Sequence, residues 1–221
     1  ELAREGYVTV IPQVCYVSPD GANKFPYESW ENAANNLPDA VAVGSARVVV
    51  TNGTYSFDAV NLSRPVTVVS LEGPEKTILK SSARGYNLMT VNDSGAWLEG
   101  FTLRDANIAD WLETTGGSGL RILAGTVTNC IVRNCSKYSY ASTYVGGSGR
   151  LYDSRIINNS SGAVSALGAG LYVAGGGFVS GCVVSNNTMV LNSADDINGG
   201  AGLSMSGGTV TGCLFADNRF S

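Results

Sequence analysis

Five ten-residue segments of this chain, beginning at Ala96, Gly125, Gly149, Gly177 and Gly208, align without gaps, and that repetition decides what the chain can fold into. The third position is apolar in each copy: Leu98, Val127, Leu151, Val179 and Val210. The eighth is apolar as well: Leu103, Val132, Ile156, Val184 and Phe215. The sixth is small or apolar: Phe101, Cys130, Ser154, Cys182 and Cys213. Positions six and eight obey the strand period of two and share a face. The step from three to six breaks that period, so a bend lies between them. Position five holds Gly100, Asn129, Asp153, Gly181 and Gly212. Those residue types best tolerate a left-handed backbone, and one such residue turns a short strand into the next with both apolar faces inward. Position ten holds Asp105, Asn134, Asn158, Asn186 and Asp217, where stacked side chains are expected to form a hydrogen-bonded ladder at a second corner.

The sixth position recurs at steps of 29, 24, 28 and 31 residues. Such steps suit one solenoid coil of about three short strands with variable loops. A second motif, Gly-Leu-X-apolar, begins at Gly119, Gly170 and Gly202 and supplies another inward-alternating strand. The coil around Tyr144 has no clean copy. Ahead of the repeats, residues 47–51, 65–70, 77–79 and 87–91 read as strands separated by turn signals at Asn52-Gly53 and Gly73-Pro74. Residues 29–37 read as a short helix, with Ser29 as N-cap, Pro38 as the stop, and Trp30, Ala33, Ala34 and Leu37 on one face. An amphipathic helix there would cap the first coil. The expected fold is all-β: a right-handed parallel β-helix with a short N-terminal capping helix. It forms a single domain over 1–221, with the cap over about 1–45 and coils over about 46–221.

Composition narrows the partners. The chain carries 14 Lys and Arg against 18 Asp and Glu, a net charge of -4, with no basic cluster, so nucleic acid is not an expected partner. No apolar run reaches membrane-spanning length. The five Cys match no zinc spacing, and there is no His, which removes the commonest general base and transition-metal ligand. The chain begins at Glu1 without a signal peptide, a start that a removed leader and a cut from a longer chain would both give.

Several features together resemble the pectate-lyase-like right-handed β-helix superfamily, and more closely its secreted bacterial repeat proteins. The carriers are Ser29 and Trp30 with Ala33 and Ala34, Asp39 with Ala40 and Val41, the run from Val50 to Tyr55, Pro65 to Val68, and Gly73-Pro74-Glu75. The Gly-Thr-Val-Thr-Asn-Cys repeats complete it, from about Cys15 to the end. The resemblance implies a secreted or cell-surface location. It is specific for fold and not for activity, because this fold hosts lyases, hydrolases, adhesins and structural proteins alike.

The related lyases combine calcium or a neutralising group with an Arg or Lys base, and the related polygalacturonases combine clustered Asp with a His. Arg104, Arg121, Arg133, Arg150 and Arg155 lie in repeat strands, but no set of them matches a lyase motif. Asp195 and Asp196 are only a fragment of an acidic cluster, although with Asn198 they offer oxygens to calcium; ordinary turn chemistry is the favoured explanation. A Cys182–Cys213 disulfide is possible on coil spacing, against a plain stack of buried thiols; the redox states of Cys15 and Cys135 stay open. No catalytic residue, metal ligand or cofactor is assigned. The candidate carbohydrate-binding residues are Trp111, Tyr138, Tyr140 and Tyr144, whose rings offer apolar faces with polar edges.

The expected function is therefore a noncatalytic extracellular β-helix for adhesion, glycan binding or scaffolding, with a polysaccharide or cell-surface glycan as partner. The alternative is a polysaccharide lyase or glycoside hydrolase. The last repeat ends at Asp217, so an open terminal coil is expected. Either further coils follow in the parent chain, or the open end stacks head to tail on another copy.

Overall fold

A computed structural model describes residues 10–108, 116–138, 140–162, 167–190 and 199–221. Short strands stack in parallel into four sheets of eight, seven, six and five strands, wound as a right-handed β-helix. Each full coil gives one strand to each sheet. The coil around Tyr144, for example, runs through Thr126–Thr128, Ile131–Arg133, Ser136–Lys137 and Thr143–Val145. We call the sheets holding these strands the first, second, fourth and third faces respectively.

The repeat positions fall where their chemistry places them. Leu98, Val127, Leu151 and Val179 stack in register on the inside of the first face, all fully buried. Leu103, Val132, Ile156 and Val184 do the same on the second face. Between these two columns, Gly100, Asn129, Asp153, Gly181 and Gly212 all have positive φ, from 44° to 83°. One left-handed residue per coil is thus the bend between faces.

Position ten is a second left-handed corner rather than the ladder itself. Asp105, Asn134, Asn158, Asn186 and Asp217 have φ between 53° and 62°. The hydrogen-bonded ladder sits one residue later, at Asn159, Asn187 and Asn218, on the inside. A left-handed residue throws its own side chain outward and turns that of its successor into the core.

The ladder also explains two of the three glycines of the Gly-Leu-X-apolar motif, while Gly119 faces Val132 and Cys135 instead. A Cβ at Gly170 would lie 2.8 Å from Asn187 Nδ2, and one at Gly202 would lie 2.7 Å from Asn218 Nδ2. The corner side chains reach across the core and leave no room for another. The strand Thr143–Val145 completes this third face in register with Leu120–Ile122 and Leu171–Val173, with buried Thr143 in the Leu position.

The capping helix is displaced from its expected place. Residues 29–36 form turns and an isolated bridge from Ala34 to Val17, and the helix runs over Leu37–Ala42. Pro38 starts it rather than stopping it, since the first helical turn needs no N–H from that residue. The N-cap is Asn36, whose Oδ1 accepts from the Asp39 N–H at 2.9 Å. Leu37 and Ala40 are buried against the first coil, so the cap exists about two helical turns later in sequence. Trp30, expected on a helical face, is 41% exposed and packs on Tyr16 with ring centroids 4.4 Å apart.

All five cysteines are free, so no Cys182–Cys213 disulfide forms. Instead the Cys182 N–H donates to Cys213 Sγ at 3.4 Å, as the Cys130 N–H donates to Ser154 Oγ at 3.1 Å two column positions earlier. At the far end, the last coil leaves Met205, Leu214, Phe215 and Phe220 exposed. Among the described residues, no helix is long and apolar enough to cross a membrane.

Candidate functional site: an outward aromatic cluster

On the third face the strands alternate strictly. Leu120, Ile122, Thr143, Val145, Leu171 and Val173 point inward and are fully buried. The intervening residues form an outward column in register: Thr90, Arg121, Tyr144, Tyr172 and Ser204. Stacked coils thereby bring together residues that lie tens of positions apart in sequence.

The rings of Tyr144 and Tyr172 have centroids 5.7 Å apart, tilted by 53°. Tyr140 adds a third ring, 6.4 Å from Tyr172, held by its bridge to Leu167 on the next coil. The Lys137 ammonium sits 5.8 Å from the Tyr140 ring centroid. Tyr172 donates its hydroxyl to Ser206 Oγ at 2.8 Å. Arg121 is the rung beside Tyr144, and its Nε is buried without a hydrogen-bond partner. Two glycines seat the Tyr144 ring. A Cβ at Gly116 would lie 2.8 Å from ring atom Cδ2, and one at Gly146 would lie 2.5 Å from the hydroxyl. The ring therefore lies over bare backbone at both positions.

Of the four sequence candidates, Tyr140 and Tyr144 come together here. Tyr138 lies around the corner on the fourth face, 42% exposed. It lines a trough of about 280 Å³ with Asn107, Ser136, Ser160, Gly162 and Val190. Trp111 lies outside the described residues, as do Asp195, Asp196 and Asn198 of the calcium reading. Tyr172 was not singled out from sequence, although it fills the outward position of the Gly170 motif.

The first face carries a further aromatic group that sequence reasoning passed over. Repeat position two is outward there and holds Trp97, Thr126, Arg150, Phe178 and Thr209 in register. The Arg150 guanidinium lies 5.8 Å from the Phe178 centroid, and the Tyr152 ring, on the same outward face, lies 5.8 Å from it as well. Trp97 Nε1 donates to Glu99 at 2.9 Å. These side chains largely satisfy one another, whereas the third-face cluster leaves Arg121 Nε unmatched.

Other chemistry has less support. Among the described residues, no three or more His, Cys, Asp or Glu side chains are placed to hold a metal. Burial pushes the thiols of Cys130, Cys135 and Cys182 up to about 12, which keeps them protonated and poor nucleophiles at neutral pH. Arg155, a lyase-base candidate, is paired with Glu75.

No family model matches the chain, and no curated protein sequence matches it. Among solved structures it is similar to the catalytic domain of a GH87 alpha-1,3-glucanase in complex with tetrasaccharides, at 12% identity and a TM-score of 0.41. The match covers 97% of this chain and 57% of that one.

Proposed function

We propose that this chain is a noncatalytic extracellular or cell-surface β-helix that binds a polysaccharide along its third face, at Tyr140, Tyr144 and Tyr172 with Arg121 alongside. The observation that carries the reading is the contiguity of the three rings. Each is partly exposed, and they come from two successive coils that a rigid solenoid holds at fixed spacing. A sugar ring presents an apolar C–H face and a rim of hydroxyls. Tyrosines match it with flat apolar faces and polar tips, and they lose little conformational freedom on binding. The Arg121 and Ser204 side chains lie in the same outward column for polar contacts. Tyr138 extends the surface onto the fourth face, and Trp111 joins the proposal through its residue type alone.

The test is titration against a panel of neutral and acidic polysaccharides, with reducing ends and unsaturated products followed in parallel. Binding that weakens in Tyr144→Ala and Tyr172→Ala without depolymerisation supports the reading. Depolymerisation would assign the same chain to the polysaccharide lyases or glycoside hydrolases. Binding that is unchanged in both variants would remove the third face from the site.

A further inference from the structure

We propose a second binding site, on the second face, for the anionic groups of an acidic polysaccharide. Lys80, Arg104 and Arg133 occupy three successive rungs of one outward column. Parallel neighbours lie about 4.8 Å apart, and like charges directly opposite one another in a sheet destabilise it. Such a stack persists at low cost only where counter-charges are supplied.

The protein supplies few. The Arg104 Nε lies 3.6 Å from Asp105 Oδ2, and that is the column's one ion pair among the described residues. At the corresponding corner of the next coil stands Asn134, which brings no charge to Arg133. The contrast with the neighbouring column is direct. There Arg155 is paired with Glu75 from the turn that follows the strand Thr67–Ser70. The same turn fixes itself to the second face through the Thr102 hydroxyl, which donates to Pro74 O at 2.6 Å. That loop answers Arg155 and leaves Lys80, Arg104 and Arg133 unanswered.

The arginine orientation fits an external anion. The Nε atoms of Arg104 and Arg133 are buried and make no hydrogen bond, Arg104 Nε having only its 3.6 Å approach to Asp105. Their terminal nitrogens are not among the buried unsatisfied atoms and make no hydrogen bond within the described protein, so they face solvent. A guanidinium presented end-on offers two parallel donors to a carboxylate or sulfate.

The geometry points to a polymer lying along the solenoid axis, one anionic group per one or two coils. The column lacks the aromatic side chains on which bases stack: its flanking positions are Ile78, Thr102 and Ile131. This site is separate from the tyrosine cluster and does not depend on it.

The test is affinity electrophoresis or calorimetry at low salt with five probes: polygalacturonate, dextran sulfate, neutral dextran, polyglutamate and oligo-dT. Carboxylate and sulfate probes distinguish the two anion chemistries. Binding of either acidic polysaccharide is expected to weaken about tenfold in Arg104→Gln/Arg133→Gln, to fall with added salt, and to be unaffected by Tyr144→Ala. Lys80→Gln, a milder change, is expected to weaken it in the same direction with an unchanged melting temperature. Undiminished binding in these variants, no binding of either acidic polysaccharide, or tighter binding of polyglutamate or oligo-dT would overturn the proposal.

Discussion

The side-chain amide of Asn159 donates to Asn187 Oδ1 at 3.0 Å, one coil away, and Asn187 repeats the gesture to Asn218 Oδ1 at 2.9 Å. Asn187 also accepts from the Asn159 N–H and donates to Ile156 O. Its side chain thus satisfies polar groups in a corner where water has no access. Asn187→Ala leaves buried donors and an acceptor unpaired, at an expected cost of about 3 kcal/mol. Asn218→Ala, in the part-exposed last coil, is expected to cost about 1 kcal/mol. Urea unfolding of both variants checks the ranking, and equal values would mean that the ladder does not act through burial.

The buried thiols set an alkaline limit. Burial raises the thiols of Cys130, Cys135 and Cys182 from 9.0 to about 12. Below pH 9 these thiols are neutral in both states, and their contribution to stability is fully present. Above it the unfolded chain ionises while the folded chain does not. Stability is then lost between pH 9 and about 12, at up to about 4 kcal/mol per pH unit for three thiols. Cys182→Ala is expected to flatten that slope by about a third. Denaturation midpoints from pH 8 to 11 measure it, and an identical slope in the variant would show that other groups dominate.

Self-association of the chain 1–221 is expected to run through its last coil. Leu214 is 59% exposed and Phe215 39%, beside strand edges whose backbone groups have no partner on that side. Such edges pair with whatever coil is offered. At the other end Leu37 and Ala40 already cover the first coil, so a head-to-tail contact has to shift the helix. Sedimentation over a wide concentration range is expected to show self-association that Leu214→Lys reduces. A strictly monomeric chain at high concentration would disprove it.

Much of the fold was legible because one residue per coil has few alternatives. Only Gly, Asn or Asp occupies position five, and that restriction marks the first corner directly. The second corner was misread by one residue because Asn158-Asn159 and Asn186-Asn187 are doubled, and nothing in their spacing tells the corner from the ladder. The cap was misplaced because Ala33 and Ala34 are buried by turns and a bridge, which together with helical Leu37 give the apolar spacing of a longer helix. The tyrosine cluster was half legible. Tyr140 and Tyr144 are close in sequence, but Tyr172 joins them only through coil register, which depends on loop lengths that sequence does not fix. The Lys80, Arg104 and Arg133 column was hidden for the same reason.

Gly146 offers a way to disturb the tyrosine cluster without touching a tyrosine. It follows Val145, two positions beyond Tyr144 and on the same side of the strand, and a Cβ there would meet the far end of the Tyr144 ring. Because the obstacle is the hydroxyl end of an outward side chain, the ring can swing toward solvent, and the core beneath stays packed. Gly146→Ala is therefore expected to change stability by less than about 1 kcal/mol while tilting Tyr144 away from Tyr172. If a sugar ring rests across both tyrosines, affinity should fall several-fold, by about 1 kcal/mol, comparable to losing one aromatic contact. Polysaccharide titration paired with thermal melting separates the two effects. Full affinity in a folded Gly146→Ala protein would mean that the glycan does not use the surface joining Tyr144 and Tyr172.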